Sequence, residues 1–203
     1  MKQAAQALGA VLRNGDLRRA ETAFALFVAA ELGSWVAILV YAYRQGGATE
    51  AGIVAAVQLV PAGILAPAFG AAADRFGGAT TLVGGYALQC LTMAGTGAAL
   101  VAGIPSSPIY VLAASAAASV TITRPAQAVV TPALARSPTE LGAVNVLSGW
   151  IRATMAMAAP ALVGVVLTLG GPGIAFLCAA GAMGAAAALA ATLPRAPRSK
   201  SES

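Results

Sequence analysis

The chain alternates between long apolar blocks and short polar breaks. Six blocks are long enough to cross a bilayer: Thr22–Tyr43, Ala51–Ala72, Thr80–Val101, Ile109–Thr131, Leu141–Thr168 and Gly173–Leu193. Crossing a hydrocarbon core of about 30 Å at about 1.5 Å per helical residue takes about 20 residues. The blocks are too long, too rich in Ala and Leu and too weakly alternating to be strands. The pattern therefore predicts an all-α membrane protein with six transmembrane helices.

The breaks carry turn chemistry. They are Arg44-Gln45-Gly46-Gly47, Asp74-Arg75-Phe76-Gly77-Gly78, Pro105-Ser106-Ser107-Pro108, Arg136-Ser137-Pro138-Thr139-Glu140 and Gly170-Gly171-Pro172. Gly and Pro punctuate helices through their backbone constraints, and Asp74 and Thr139 are candidate N-caps. Ahead of the first block, residues 1–20 read as a cytoplasmic, partly amphipathic lead-in, without the long apolar core and small-residue cleavage site of a signal peptide. Residues 21–193 make one transmembrane bundle, and the polar, Pro-containing residues 194–203 read as a disordered cytoplasmic tail.

Composition agrees with a lipid solvent. Charged residues make up 9% and hydrophobic residues 59% of the 203 residues, and mean hydropathy is +0.80. A soluble domain carries about 25% charge. The 23 glycines suit helices whose backbones approach closely in a bilayer. The net charge of +5 is spread singly at block ends, which speaks for membrane topology and against nucleic acid. Lys2, Arg13, Arg18, Arg19, Arg75, Arg136, Arg195, Arg198 and Lys200 fall on one side and Arg44 on the other. The positive-inside rule then puts both termini in the cytoplasm of a cell inner (plasma) membrane protein.

Three ionisable side chains fall inside blocks: Glu31, Arg124 and Arg152. Each would cost about 2.5–3.5 kcal/mol at a helix centre facing lipid, so they are expected to face the bundle interior. Asn145, Ser148 and Arg152 share one helical face, as do Thr121, Arg124 and Gln127; Glu31 is followed by Ser34 and Trp35, and Gln58 adds a polar group to the second block. Together these residues would line one polar cavity. Two readings stand: Glu31 pairs with an Arg and fixes helix packing, or the set binds substrate or exchanges a proton. Two Arg against one Glu leave a positive charge that favours an anionic substrate group. Cys90 and Cys178 lie in apolar blocks and read as buried thiols. Without His there is no Ser–His pair, and neither a nucleotide-binding loop nor a metal-ligand spacing occurs, so no enzyme, cofactor or metal is expected.

The stretch Gly70-Ala71-Ala72-Ala73-Asp74-Arg75-Phe76-Gly77 resembles the G-x-x-x-D-R-x-G loop between spans two and three of the major facilitator superfamily. Leu32-Gly33-Ser34-Trp35 resembles the L-G-D-W stretch of its macrolide and siderophore exporters, with Ser34 in place of the acid. Gln58-Leu59-Val60-Pro61, Arg124-Pro125-Ala126, Thr131-Pro132-Ala133-Leu134, Val144-Asn145 and Ala159-Pro160-Ala161-Leu162-Val163-Gly164 are similar to further stretches of that branch. The resemblance covers Arg18 to Pro194 and implies the N-terminal half of such a transporter: two inverted three-helix repeats. It implies export of a small molecule by alternating access, antiport with protons included. Gly70, Asp74, Arg75 and Gly77 would form a conformational latch, and a second six-helix half would come from a separate chain or a second copy. Gly78 and Ala79 stand where the family loop carries basic residues, and Ala159 replaces a Gly of the antiport stretch. The alternative expectation is a non-transport membrane scaffold or a degenerate transporter remnant.

Overall fold

A computed structural model describes Gly9, Val11 and residues 13–194; for residues 60–76 it describes the helical backbone and not the side chains. Among the described residues the fold is all-helical: α1 (Gly15–Phe76), α2 (Gly78–Val101), α3 (Ser106–Leu134) and α4 (Pro138–Ala191). Three segments, Gly15–Leu59, Ser106–Leu134 and Pro138–Ala191, are long and apolar enough to cross a membrane. The block expected at Thr80–Val101 forms α2 but is not one of the three, because its glycines, threonines and Gln89 dilute its hydropathy.

Two breaks expected as loops are interruptions of one or two glycines within long helices. In α1, Gly46 (φ −143°, ψ 22°) and Gly47 (φ 69°, ψ −155°) leave helical geometry. In α4 the same is true of Gly171 (φ 74°, ψ −177°). Positive φ with extended ψ is a region that side chains bearing a Cβ avoid, so glycine lets the chain turn there within one residue. The turn in α1 is a reversal. Ser34 and Gln58, on either side of it, line one cleft, whereas a straight helix would hold them about 36 Å apart.

The other ends are set by caps. Ser137 accepts a hydrogen bond from the Glu140 backbone N–H at 3.2 Å, with Pro138 in the first turn, so Ser137 and not Thr139 is the N-cap of α4. Gly77 (φ 84°) occupies the N-cap position of α2. Helix α1 continues through Asp74 to Phe76, which rules out Asp74 as the cap of the following helix. At the chain's start, α1 begins at Gly15, ahead of the expected Thr22. Asn14 caps it by accepting from the N–H groups of Asp16 (3.2 Å) and Leu17 (3.4 Å).

Inter-helix pairs fix the arrangement. Asn14 donates to Glu140, and Ser148 donates to Glu21, at sequence offsets of 126 and 127; a nearly constant offset means that α1 and α4 start side by side and run parallel. Tyr86 reaches Gln127, while Gly95 faces Leu112, so α2 and α3 are antiparallel. Gly97 approaches Gly173 and Gly184 approaches Cys90, which turns the end of α4 antiparallel to α2 and back toward the Asn14 end. Phe24, Phe27, Tyr86, Met93, Phe176 and Met183 fill the core among many alanines. The outer surface is apolar: Leu91, Leu162, Met157 and Leu169 are exposed, the last two to 83% and 84%. So many exposed large apolar side chains are compatible with a lipid-facing surface.

A close backbone contact joins α2 to α4. A Cβ built on Gly173 would lie 2.7 Å from Val101 Cγ2 and 3.3 Å from the Gly97 carbonyl oxygen. The helices meet backbone to backbone there, as small residues allow. By contrast, Gly181 faces open space. Gly173→Val should therefore lower stability by about 1–3 kcal/mol through overpacking, read as thermal unfolding in detergent, and Gly181→Val should leave it nearly unchanged. Equal effects of the two substitutions would contradict this packing.

Candidate functional site

A cleft of ≈ 260 Å³ opens between α1, α3 and the facing parts of α2 and α4. The reversal of α1 brings Glu31, Ser34 and Trp35 from its first arm opposite Gln58 and Leu59 from its second. Helix α3 contributes Thr121 and Arg124, spaced one turn apart on one face, while Met93 and Phe176 close the apolar floor. Most of the lining is apolar, with a few polar groups, the usual composition of a small-molecule site.

The electrostatic centre is an ion pair. Arg124 donates to Glu31 Oε1 at 2.6 Å, joining α3 to α1 across the cleft. The Glu31 side chain is 21% exposed and that of Arg124 52% exposed, so the pair sits at the cleft wall with Arg124 the more exposed partner. Ser34 Oγ donates to the Glu31 backbone oxygen at 3.0 Å, and Thr121 Oγ1 donates to the Ala118 carbonyl at 2.6 Å; both hydroxyls are satisfied within their own helices. Gln58 is buried at 4% exposure, and its Nε2 has no hydrogen-bond partner among the described residues.

The structure thus gathers Glu31, Ser34, Gln58 and Arg124, with Thr121 of the same stripe. It does not bring the remaining candidates there. Gln127 is buried between α2 and α3, accepting from the Tyr86 hydroxyl at 3.3 Å and donating to Thr131 at 3.3 Å. Asn145 is exposed on α4. Ser148 donates to Glu21 Oε2 at 2.8 Å. Arg152 lies over the Phe24 ring, its guanidinium carbon 5.2 Å from the centroid, in cation–π geometry. The spare positive charge expected in the cavity is therefore held outside it. Of the latch residues, Gly70, Asp74 and Arg75 lie outside the described side chains, and Gly77 supplies the positive φ of the α1–α2 turn.

Glu21 is a buried acid outside the cleft that sequence reasoning missed. It stands at the edge of the first apolar block, yet it is buried at 3% exposure, and its Oε1 has no hydrogen-bond partner among the described residues. Its one partner, Ser148, lies on a distant helix, and no spacing within α1 signals that pairing. At the opposite end of the bundle, Tyr41 and Ser106 are within 3.3 Å and Tyr110 donates to Glu50, a second set of ties between α1 and α3. Among the described residues no cluster of His, Cys, Asp and Glu could hold a metal ion. Comparison of the chain with family models, with curated proteins and with solved structures returns no match.

The ion pair makes a checkable claim. Glu31→Gln and Arg124→Ala should each destabilise the bundle, because each strands the partner charge in an apolar wall. The double variant should lose less than the two losses added together. A double-mutant cycle by unfolding in detergent should return a coupling of about 0.5–3 kcal/mol; strict additivity would refute the contact.

Proposed function

We propose that the chain is a six-span membrane bundle forming one half of a transporter of the major facilitator type, which moves a small molecule by alternating access. The observation that carries this reading is the Glu31–Arg124 pair in the wall of a cleft lined by apolar blocks. Ionisable groups persist at such depth where they face an interior, a partner or water. The glycine breaks at Gly47 and Gly171 support six membrane crossings, since each turns a long helix back into the bilayer. The contact pattern also gathers Arg13, Arg18, Arg19 and Arg136 near the Asn14–Glu140 end and leaves Arg44 at the other. That distribution supports termini in the cytoplasm of a plasma membrane.

The cleft is not fully enclosed, and the Arg124 side chain in its lining is about half exposed. A second six-helix half, as another chain or a second copy, would complete its wall and keep that charge out of lipid. Ties at both ends of the bundle, Asn14–Glu140 and Glu21–Ser148 at one and Tyr41–Ser106 and Tyr110–Glu50 at the other, favour movement of the bundle as a unit against that partner. A non-transport scaffold is the second reading. It is favoured by the closed pairing of Glu31 with Arg124, which fixes packing whether or not anything is carried.

Flux separates the two. Proteoliposomes holding the full chain should pass at least one of three labelled aromatic probes (benzamide, benzoate, benzylammonium) faster than protein-free vesicles. Glu31→Gln should reduce that flux at least tenfold per folded molecule, as counted by gel filtration, beyond what its cost in stability explains. Flux of no probe by the wild type, with Glu31→Gln impairing folding alone, would favour the scaffold.

A further inference from the structure

We propose that the cleft recognises an uncharged apolar molecule through a carbonyl acceptor, with the Gln58 amide as the donor. This rests on the reading of the cleft as a substrate site and names the chemistry of what enters it. Two observations carry it. The described lining holds one acid and one base, Glu31 and Arg124, and they neutralise each other at 2.6 Å. Arg152, the cation that would have tipped the balance, lies on Phe24 and does not line the cleft. An ion entering such a wall would give up its hydration without meeting an opposite charge, which is expensive in an apolar setting.

The second observation is Gln58 itself. It lines the cleft at 4% exposure, and its amide nitrogen has no hydrogen-bond partner among the described residues. Buried polar groups in native structures nearly always have partners, and one without a partner calls for an explanation. Ser34 and Thr121, the neighbouring hydroxyls, already donate to backbone carbonyls of their own helices. Gln58 is thus a buried side chain of the lining with a donor still to give among the described residues, and a carbonyl oxygen takes it without bringing charge. The rest of the wall (Trp35, Leu59, Met93, Val120 and Phe176) suits an aromatic or alicyclic body. The volume of ≈ 260 Å³ lies just below the range of about 300–1,000 Å³ typical of drug-sized ligands, so the molecule is a small one.

Trp35 in the wall makes binding visible. The full chain carries two tryptophans, and Trp150 is exposed on α4, so a Trp150→Phe background assigns the fluorescence to Trp35. Benzamide, benzoate and benzylammonium have nearly the same size and differ in charge. In detergent, benzamide should quench Trp35 at the lowest concentration, with benzoate and benzylammonium at least tenfold weaker. Gln58→Leu, which removes the donor at similar volume and leaves no stranded polar atom, should weaken benzamide about tenfold without lowering thermal stability. Ala117→Leu, at another lining position, should abolish quenching by filling the cleft. Benzoate or benzylammonium binding as tightly as benzamide, or benzamide binding unchanged by Gln58→Leu, would overturn the proposal. These readouts need no flux: binding with this selectivity but no transport would count against the transporter reading alone, and transport with charged probes preferred would count against this one alone.

Discussion

A charged or strongly polar side chain in a hydrocarbon setting has to find its partner inside the protein, and in this fold that requirement decides which helices touch. Arg124 on α3 answers Glu31 on α1. Ser148 on α4 answers Glu21 on α1, and Gln127 on α3 answers Tyr86 on α2. Each bond crosses from one helix to another, because a helix has already used its backbone groups on itself and offers a side chain little beyond its own turn. Apolar packing supplies contact area, but lipid tails are as apolar as Leu, so burial of Leu and Val does not choose one helix neighbour over another. Close backbone approach and polar pairing do. Gly97 and Gly173 provide the first, and the four helices are threaded together by the second.

The same constraint explains how much could be read in advance. Blocks of apolar residues announce helices because their length and composition are local properties. The breaks at Gly46-Gly47, Gly77, Pro105 and Gly170-Gly171 were also legible, since positive φ and missing N–H groups are properties of single residues. Glu31, Ser34, Gln58 and Arg124 stood out as polar residues in apolar surroundings, and they meet. Pairing itself was not legible. Arg152 resembles Arg124 in sequence context, yet it stacks on Phe24 because α4 runs parallel to α1 and brings it one turn beyond Ser148. Gln127 shares a stripe with Arg124, but it turns to Tyr86 on the neighbouring helix. Glu21 drew no attention in the sequence, and the parallel register of α1 and α4 pairs it with Ser148. Local pattern reveals which residues need partners; the register between distant helices decides which partners they get.

The proposed function rests on what the pairing leaves over. The helices close around a cleft in which one acid and one base cancel and one amide has no partner among the described residues. Its walls are mostly apolar, and the Arg124 side chain in them is about half exposed. A bundle that only needed to be stable would gain by closing that gap with side chains, as well-packed interiors do. A bundle that carries something needs both the gap and a second surface to cover it in turn. On this view the polar ties at the two ends keep the helices together as one body while the opening faces first one side and then the other.

All of this depends on the chain crossing the bilayer with its two glycine turns at one face and the Ser137 turn at the other. Single cysteines at Gln45, Ser107 and Ser137, introduced where Cys90 and Cys178 have been replaced by Ala, report that arrangement by their labelling in intact and opened cells with a membrane-impermeant maleimide. The account predicts that Gln45→Cys and Ser107→Cys are labelled from outside and Ser137→Cys only after the membrane is opened. Labelling of Gln45→Cys and Ser137→Cys from the same side would contradict it.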